Sequence, residues 1–176
     1  MCGRINLRCN IAIYIMPEEK YEFSYEVYGS IDELSREDAW LLNEAKEVTQ
    51  DAYAPYSRFH VGAVAKLSNG QIVAGTNQEN ASYPVGICAE RVLLGTAATL
   101  YPGVSIDTIA VSYDGEDVQS DHPISPCGMC RQALLEYEER TKKPIRMILA
   151  GQRGRVFILS TSKVLLPFAF TPGELK

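Results

Sequence analysis

The chain has 176 residues, 46% of them hydrophobic and 22% charged, with a net charge of -5 at neutral pH. That length suits one domain with a real core, and the acidic balance argues against a nucleic-acid grip, which needs a basic face. No apolar run approaches the ~20 residues that span a bilayer, and no signal-peptide pattern opens the chain, so a cytoplasmic protein without membrane contact is expected.

Residues 1–15 carry Arg4, Arg8, Cys2 and Cys9 and no acid, whereas Met16 begins an acidic, well-patterned region. Met16 is therefore expected to be the native start, with residues 1–15 upstream or vector-derived and residues 16–176 forming one domain. Residues 21–27 alternate apolar and polar, the period of a half-buried strand. Ser35 stands three residues before Asp38 in a capping-box pattern, and Leu41, Ala45, Val48 and Ala52 follow at helical spacing, predicting a helix over 36–52. Two β-like runs, 59–67 and 71–75, flank Asn69-Gly70, a hairpin signal in which both turn positions favour positive φ. After a polar loop over 77–86, residues 88–101 read as a helix closed by Pro102-Gly103. A strand over 106–113 leads into an acidic loop, 114–125. A helix over 127–142 ends before Pro144. Strands at 145–150 and 155–160 enclose a Gly-bounded turn, whose Arg153 and Arg155 are too few for a basic patch. Ser162 is placed to cap a short final helix. This order predicts an α/β fold, a mixed sheet with helices on both faces.

Five cysteines cannot all pair within one chain, and clustered cysteines in a reducing compartment point to metal binding or reactivity. Cys127 and Cys130 are three apart, which at the first turn of a helix puts both sulfurs on one face. A helix N-terminus there stabilises thiolates. Cys88 and Glu90 are two apart and reach one site only if Cys88 sits at the helix cap, outside regular helical geometry. Three thiolates would hold Zn²⁺ and leave a fourth position for water, with the Glu90 carboxylate beside it to carry a proton. Arg91 either donates hydrogen bonds to thiolate sulfur, drawing charge off the ligands, or is a solvated helix arginine. Taken alone, a C-x-x-C pair also fits a redox couple or half of a structural zinc site. The candidates for a closing fourth ligand are His122, nearest in sequence, then His60, Cys2 and Cys9.

Cys88-Ala89-Glu90-Arg91 together with residues 126–132, Pro-Cys-Gly-Met-Cys-Arg-Gln, resembles the cytidine deaminases in the all-cysteine form of the small tetrameric enzymes. Residues 53–59, 77–84 and 165–170 are similar to that family's opening segment, sugar-binding loop and C-terminal signature. The resemblance implies a three-layer α/β/α fold with a mixed central sheet, Zn²⁺ on Cys88, Cys127 and Cys130, and hydrolytic deamination of cytidine and deoxycytidine in pyrimidine salvage. It implies attack at C4 by water activated on the metal, with Glu90 shuttling protons to N3 and to the departing ammonia. It places the Ala89 N–H on the pyrimidine O2, Asn77 and Glu79 on the ribose, and Phe59 and Val61 against the nucleoside. It also sends Ala81, Tyr83 and Phe170 toward a neighbouring subunit's site in a homotetramer. Three features depart from the pattern: His60 stands where the family has Pro, the 114–125 loop is longer, and the strand near residues 21–27 extends the usual start. A deaminase of another aminopyrimidine nucleoside and a zinc-stabilised binding module are the rival readings.

Overall fold

Strand side chains alternate between two faces, and both faces of this sheet are covered. A computed structural model describes residues 18–175. The expected boundary at Met16, and Cys2 and Cys9, lie outside those residues. Six strands, β1 (Glu26–Tyr28), β2 (Phe59–Leu67), β3 (Ile72–Thr76), β4 (Ile106–Gly115), β5 (Arg146–Ala150) and β6 (Val156–Leu159), form one sheet in the order β1-β6-β5-β4-β2-β3. Only β4 and β5 run parallel, joined by a crossover through α3 (Gly128–Thr141); the other pairings are antiparallel.

Helix α1 (Arg36–Glu47) covers one face, where Leu41, Leu42 and Ala45 pack on Val64, Ala110, Ile148 and Ile158. Helix α2 (Ala89–Leu100) and α3 cover the other, where Leu93, Ala97 and Leu134 meet Ala65, Ile109, Val111 and Met147. The neighbours Ile109, Ala110 and Val111 thus point alternately into the two cores, and the result is the three-layer α/β/α arrangement expected. Burial on both faces explains why β4 and β5 read as almost continuous apolar runs.

Four local expectations change, one of them near the C-terminus, where Thr161 rather than Ser162 caps the 3₁₀ turn Ser162–Leu165, its hydroxyl accepting from Lys163 N–H at 3.2 Å. The strand predicted over 21–27 is confined to Glu26–Tyr28. Its partner β6 offers only Val156–Ile158 to it, and among the described residues, 18–25 have no strand beside them. The alternation there instead lines up rings: Tyr21 with Phe23 at 6.3 Å, Phe23 with Tyr25 at 6.2 Å, and Tyr25 on Phe157 at 5.0 Å. In the β2–β3 hairpin only Gly70 has positive φ, at 83°. Gly70 N–H donates to Leu67 O and Leu67 N–H to Gln71 O, both at 2.9 Å, so the connection is a three-residue loop with glycine at its left-handed position rather than a two-residue turn. The helix predicted to residue 52 ends at Glu47 and tightens into a 3₁₀ turn, Val48–Asp51. There the Thr49 hydroxyl donates to the Lys46 carbonyl at 2.6 Å, competing with the α-helical ladder.

Candidate active site

Helices α2 and α3 lie on the same face of the sheet, and their N-termini meet. Cys88 is the N-cap of α2 and Cys127 the N-cap of α3; both have extended backbones, and neither side chain makes a capping hydrogen bond. Both sulfurs are therefore free to point into the gap between the helices. Cys130 follows within the first turn of α3 and is fully buried. The three sulfurs lie within 4.8 Å of one another, with Cys88 to Cys127 at 3.6 Å and Cys127 to Cys130 at 3.4 Å. Four ligands at ~2.3 Å around a tetrahedral Zn²⁺ would stand ~3.8 Å apart, so small outward adjustments let these thiols hold the ion. Soft sulfur donors in this number suit zinc.

The close approach of α2 depends on Gly75 in β3. A Cβ there would lie 2.4 Å from the Leu93 nitrogen and 2.5 Å from the Ala89 carbonyl oxygen, so no side chain fits between strand and helix. On α3, the Arg131 guanidinium donates from Nε to the Pro126 carbonyl at 2.8 Å and from Nη1 to the Leu165 carbonyl at 3.0 Å. Gln132 Nε2 donates to the Phe170 carbonyl at 2.9 Å. The first turn of α3 thus holds both the peptide entering Cys127 and the C-terminal segment.

A cavity of about 720 Å³ opens over these groups, lined by Cys88, Ala89, Glu90 and Cys127 on one side and by Phe59, Val61, Asn77 and Glu79 on another. Glu90 is 5% exposed, and burial holds its carboxyl above the usual carboxylate range. The Cys88 thiol is lowered to about 6 by hydrogen bonds from Cys130 and Cys127, against its own burial, with the Arg91 charge helping. Cys130 is pushed the other way by its contact with Cys88 and by burial. One thiolate held by neighbouring thiols is the state from which a metal would displace protons.

Asn77 and Glu79 are already engaged with the protein. Asn77 Oδ1 accepts from Val61 N–H at 2.7 Å and its Nδ2 donates to the Phe59 carbonyl at 2.8 Å, pinning the start of β2. Glu79 Oε2 accepts from the backbone N–H groups of Tyr56 and Ser57 at 2.9 and 3.2 Å. The Ser57 hydroxyl and these N–H groups lower its pKa. Each side chain retains hydrogen-bonding capacity toward the cavity. Tyr83 lines this chain's own cavity and meets Tyr56 edge-on at 6.0 Å, whereas Ala81 and Phe170 are exposed and stand outside it. Arg91 Nη1 is 3.9 Å from Met129 Sδ, not on a cysteine sulfur, so it acts on the site by charge.

Of the fourth-ligand rivals, the two histidines do not join the cluster. His122 Nδ1 sits 3.3 Å from the Tyr113 hydroxyl and 3.1 Å from Asp121 Oδ1. His60 Nε2 is 4.0 Å from a Glu116 carboxylate oxygen. Among the described residues the metal-competent group is the three cysteines alone. Sequence reasoning missed Ile124 and Ser125, which line the cavity from the end of the acidic loop. It also gave no role to Arg131 and Gln132; their place in the motif beside Cys130 was the available signal.

A family model described as the cytidine and deoxycytidylate deaminase zinc-binding region matches residues 35–145. The chain belongs to this family. The deaminase chain is 36% identical over 135 residues to a cytidine deaminase of Halalkalibacterium halodurans, covering 77% of this chain and 95% of that protein. It is 36% identical to one from Sporosarcina psychrophila, over 77% and 92% of the two chains. The crystal structure of cytidine deaminase from Burkholderia pseudomallei is similar at a TM-score of 0.65 and 36% identity, covering 78% of this deaminase and all (100%) of that chain. That from Mycobacterium tuberculosis is similar at 0.57 and 31%, covering 74% and 94%. Among the described residues no helix is long and apolar enough to cross a membrane.

Proposed function

We propose that this protein hydrolyses cytidine and deoxycytidine to uridine and deoxyuridine with release of ammonia. The observation that carries the reading is the convergence of Cys88, Cys127 and Cys130 beside the buried Glu90 at one wall of the cavity. When bound, zinc supplies a Lewis acid and lowers the pKa of water at its open position. Glu90, as the carboxylate, would take one proton from the attacking water and deliver it to N3 of the pyrimidine, then take the second from the hydroxyl newly bonded to C4 and deliver it to the amine as the C4–N bond breaks and ammonia leaves. Its pKa, raised by burial, supports this work, because a more basic carboxylate accepts a proton more readily than an exposed one. The Ala89 N–H, in the first turn of α2 and without a helical acceptor, binds the pyrimidine O2. Phe59 and Val61 pack on the nucleoside, while the free amide hydrogen of Asn77 and the free oxygen of Glu79 bind a ribose hydroxyl. Arg91 offsets the negative charge of the thiolates.

The exposed apolar side chains Tyr83, Phe168 and Phe170 support a homotetramer in which Ala81, Tyr83 and Phe170 reach a neighbouring site. Residues 16–176 form the single working domain, and the setting is pyrimidine salvage in the cytoplasm. Ile124 and Ser125 in the cavity wall favour, as a second reading, a substituted aminopyrimidine nucleoside. A nucleoside panel with zinc-replete protein, followed by loss of absorbance at the cytidine band, tests both. Cytidine and deoxycytidine are expected to turn over, and Glu90→Gln is expected to retain zinc while losing about 10³-fold in kcat. No turnover of any aminopyrimidine, or near-normal turnover by Glu90→Gln, would refute the assignment.

A further inference from the structure

Phe59 does not stand alone in the cavity wall. Its ring stacks on that of Tyr113, with centroids 5.0 Å apart and 21° between the planes. In the β2–β4 ladder Tyr113 pairs with Val61 and Gly115 with Phe59, so the two rings are diagonal neighbours on one face. Tyr113 is 1% exposed and does not line the cavity. Its hydroxyl donates to the Gln119 carbonyl at 3.3 Å and faces His122 Nδ1 at 3.3 Å. The His122 ring stands edge-on to it at 5.9 Å.

Both of those partners belong to the segment between β4 and α3, whose backbone is seated on the β5–β6 turn. Arg153 N–H donates to the Ser120 carbonyl at 3.1 Å. Cβ atoms at Gly151 and Gly154 would lie 2.4 Å from Ser120 O and 2.1 Å from Asp121 O. At its near end the segment is tied to residue 58, through the ion pair of Arg58 with Asp117 and the Glu116 N–H on the Arg58 carbonyl at 3.1 Å. At its far end it places Ile124 and Ser125 in the cavity wall, immediately before Pro126 and Cys127. One buried phenol therefore joins the Phe59 wall to the segment that supplies a second wall.

We propose that Tyr113 is a positioning residue that sets the spacing between Phe59 and the Ile124–Ser125 wall, and with it the affinity for the nucleoside. It acts through its hydroxyl and touches neither substrate nor metal. This rests on the deaminase reading for its substrate. Tyr113→Phe keeps the stacked ring and the core volume and removes only the hydroxyl, which isolates the effect. His122→Ala removes one of the hydroxyl's two partners from an exposed position.

Steady-state kinetics on cytidine, inhibition by uridine, zinc content, and amide hydrogen exchange over residues 116–125 test the proposal in wild type, both variants and the double variant. Tyr113→Phe is expected to raise KM and the uridine inhibition constant about fivefold, the worth of one to two hydrogen bonds. Its kcat should stay within about twofold, its zinc content should be unchanged, and exchange over 116–125 should be faster. His122→Ala should move the same quantities less, and the double variant should be no worse than Tyr113→Phe alone. Unchanged KM, inhibition and exchange would overturn the proposal, as would a loss confined to kcat and zinc content, which would place the effect on the turn holding Cys127. If Tyr113→Phe does not fold, a rise in KM and in exchange, smaller than fivefold, must still appear in His122→Ala, and its absence overturns the proposal. If wild type fails to deaminate any nucleoside, the deaminase reading falls separately, while exchange still reports whether Tyr113 holds the segment.

Discussion

Glu90 and Glu138 are both buried carboxylates, 5% and 7% exposed, in opposite surroundings. Glu138 is enclosed by donors: its oxygens accept from the N–H of Ile145 at 2.9 Å, the hydroxyl of Thr161 at 2.9 Å, and the N–H and hydroxyl of Ser162 at 2.8 and 2.7 Å. It ties α3 to the start of β5 and to the 3₁₀ turn after β6, so its work is structural. Glu138→Ala should cost about 3 kcal/mol in urea unfolding, because several buried donors lose their acceptor together. Glu138→Gln should recover part of that, since its amide oxygen still accepts while its NH₂ cannot replace the second accepting oxygen. Equal stability of all three proteins would refute the account. Glu90 lines the cavity and burial raises its pKa, which suits it to proton transfer. In the sequence Glu90 could be singled out because it lies two residues from a cysteine. Glu138 could not, because its partners lie 7 to 24 residues away and nothing local marks them.

At the scale of elements, the meeting of the α2 and α3 starts depends on contacts that spacing does not encode. Gly75 is the clearest case, a strand residue whose missing side chain lets the Ala89 carbonyl approach. Gly75→Ala should displace the first turn of α2, with at least about tenfold loss of activity and lower zinc content at saturation, measured by metal analysis of the purified protein. Normal zinc and activity would show that the helix has room to spare. The start of α1 offers a test by pH. The Ser35 hydroxyl accepts from Asp38 N–H at 3.1 Å as the capping pattern predicts. The Asp38 carboxylate takes both Arg146 nitrogens, at 2.6 and 3.0 Å. Burial raises the Asp38 pKa, but the hydrogen bonds from Arg146 and Ser35 outweigh it, and the result lies below the ordinary value. A lowered folded-state pKa means the carboxylate stabilises the fold at pH values above its unfolded pKa, and that contribution is lost as pH falls through the folded one. Asp38→Asn should therefore be about 1–2 kcal/mol less stable at pH 7, and the difference should shrink as pH drops below about 4. A difference independent of pH would show that the pair contributes nothing through its charge.

Over the whole molecule, several large apolar side chains are left exposed: Phe168 fully, Phe170 at 57%, and Tyr83, which lines the cavity, at 76%. Exposed apolar patches mark association surfaces. Sedimentation should give four times the chain mass. Mixing inactive Glu90→Gln with a weakened Phe170→Ala variant, after subunit exchange, should restore part of the activity, because some sites then receive Glu90 from one chain and Phe170 from another. No restoration in proven mixed oligomers would confine each site to its own chain.

Residue types and short spacings were enough to establish the chemistry available to this protein: two cysteines on one helical turn, a third at a cap, and a carboxylate beside it. They also located α2, α3, β2 and β4 to within a residue or two, because caps, periodicity and glycine at a hairpin act between near neighbours. They misplaced the strand at 21–27, since alternation cannot say whether a partner strand is long enough to pair with it. The convergence of Cys88 with Cys127, the stack of Phe59 on Tyr113 and the seat of Ala89 on Gly75 were decided only by folding. Each depends on sheet order and on the crossover through α3, which bring together segments tens of residues apart through the burial of two cores rather than through any local rule.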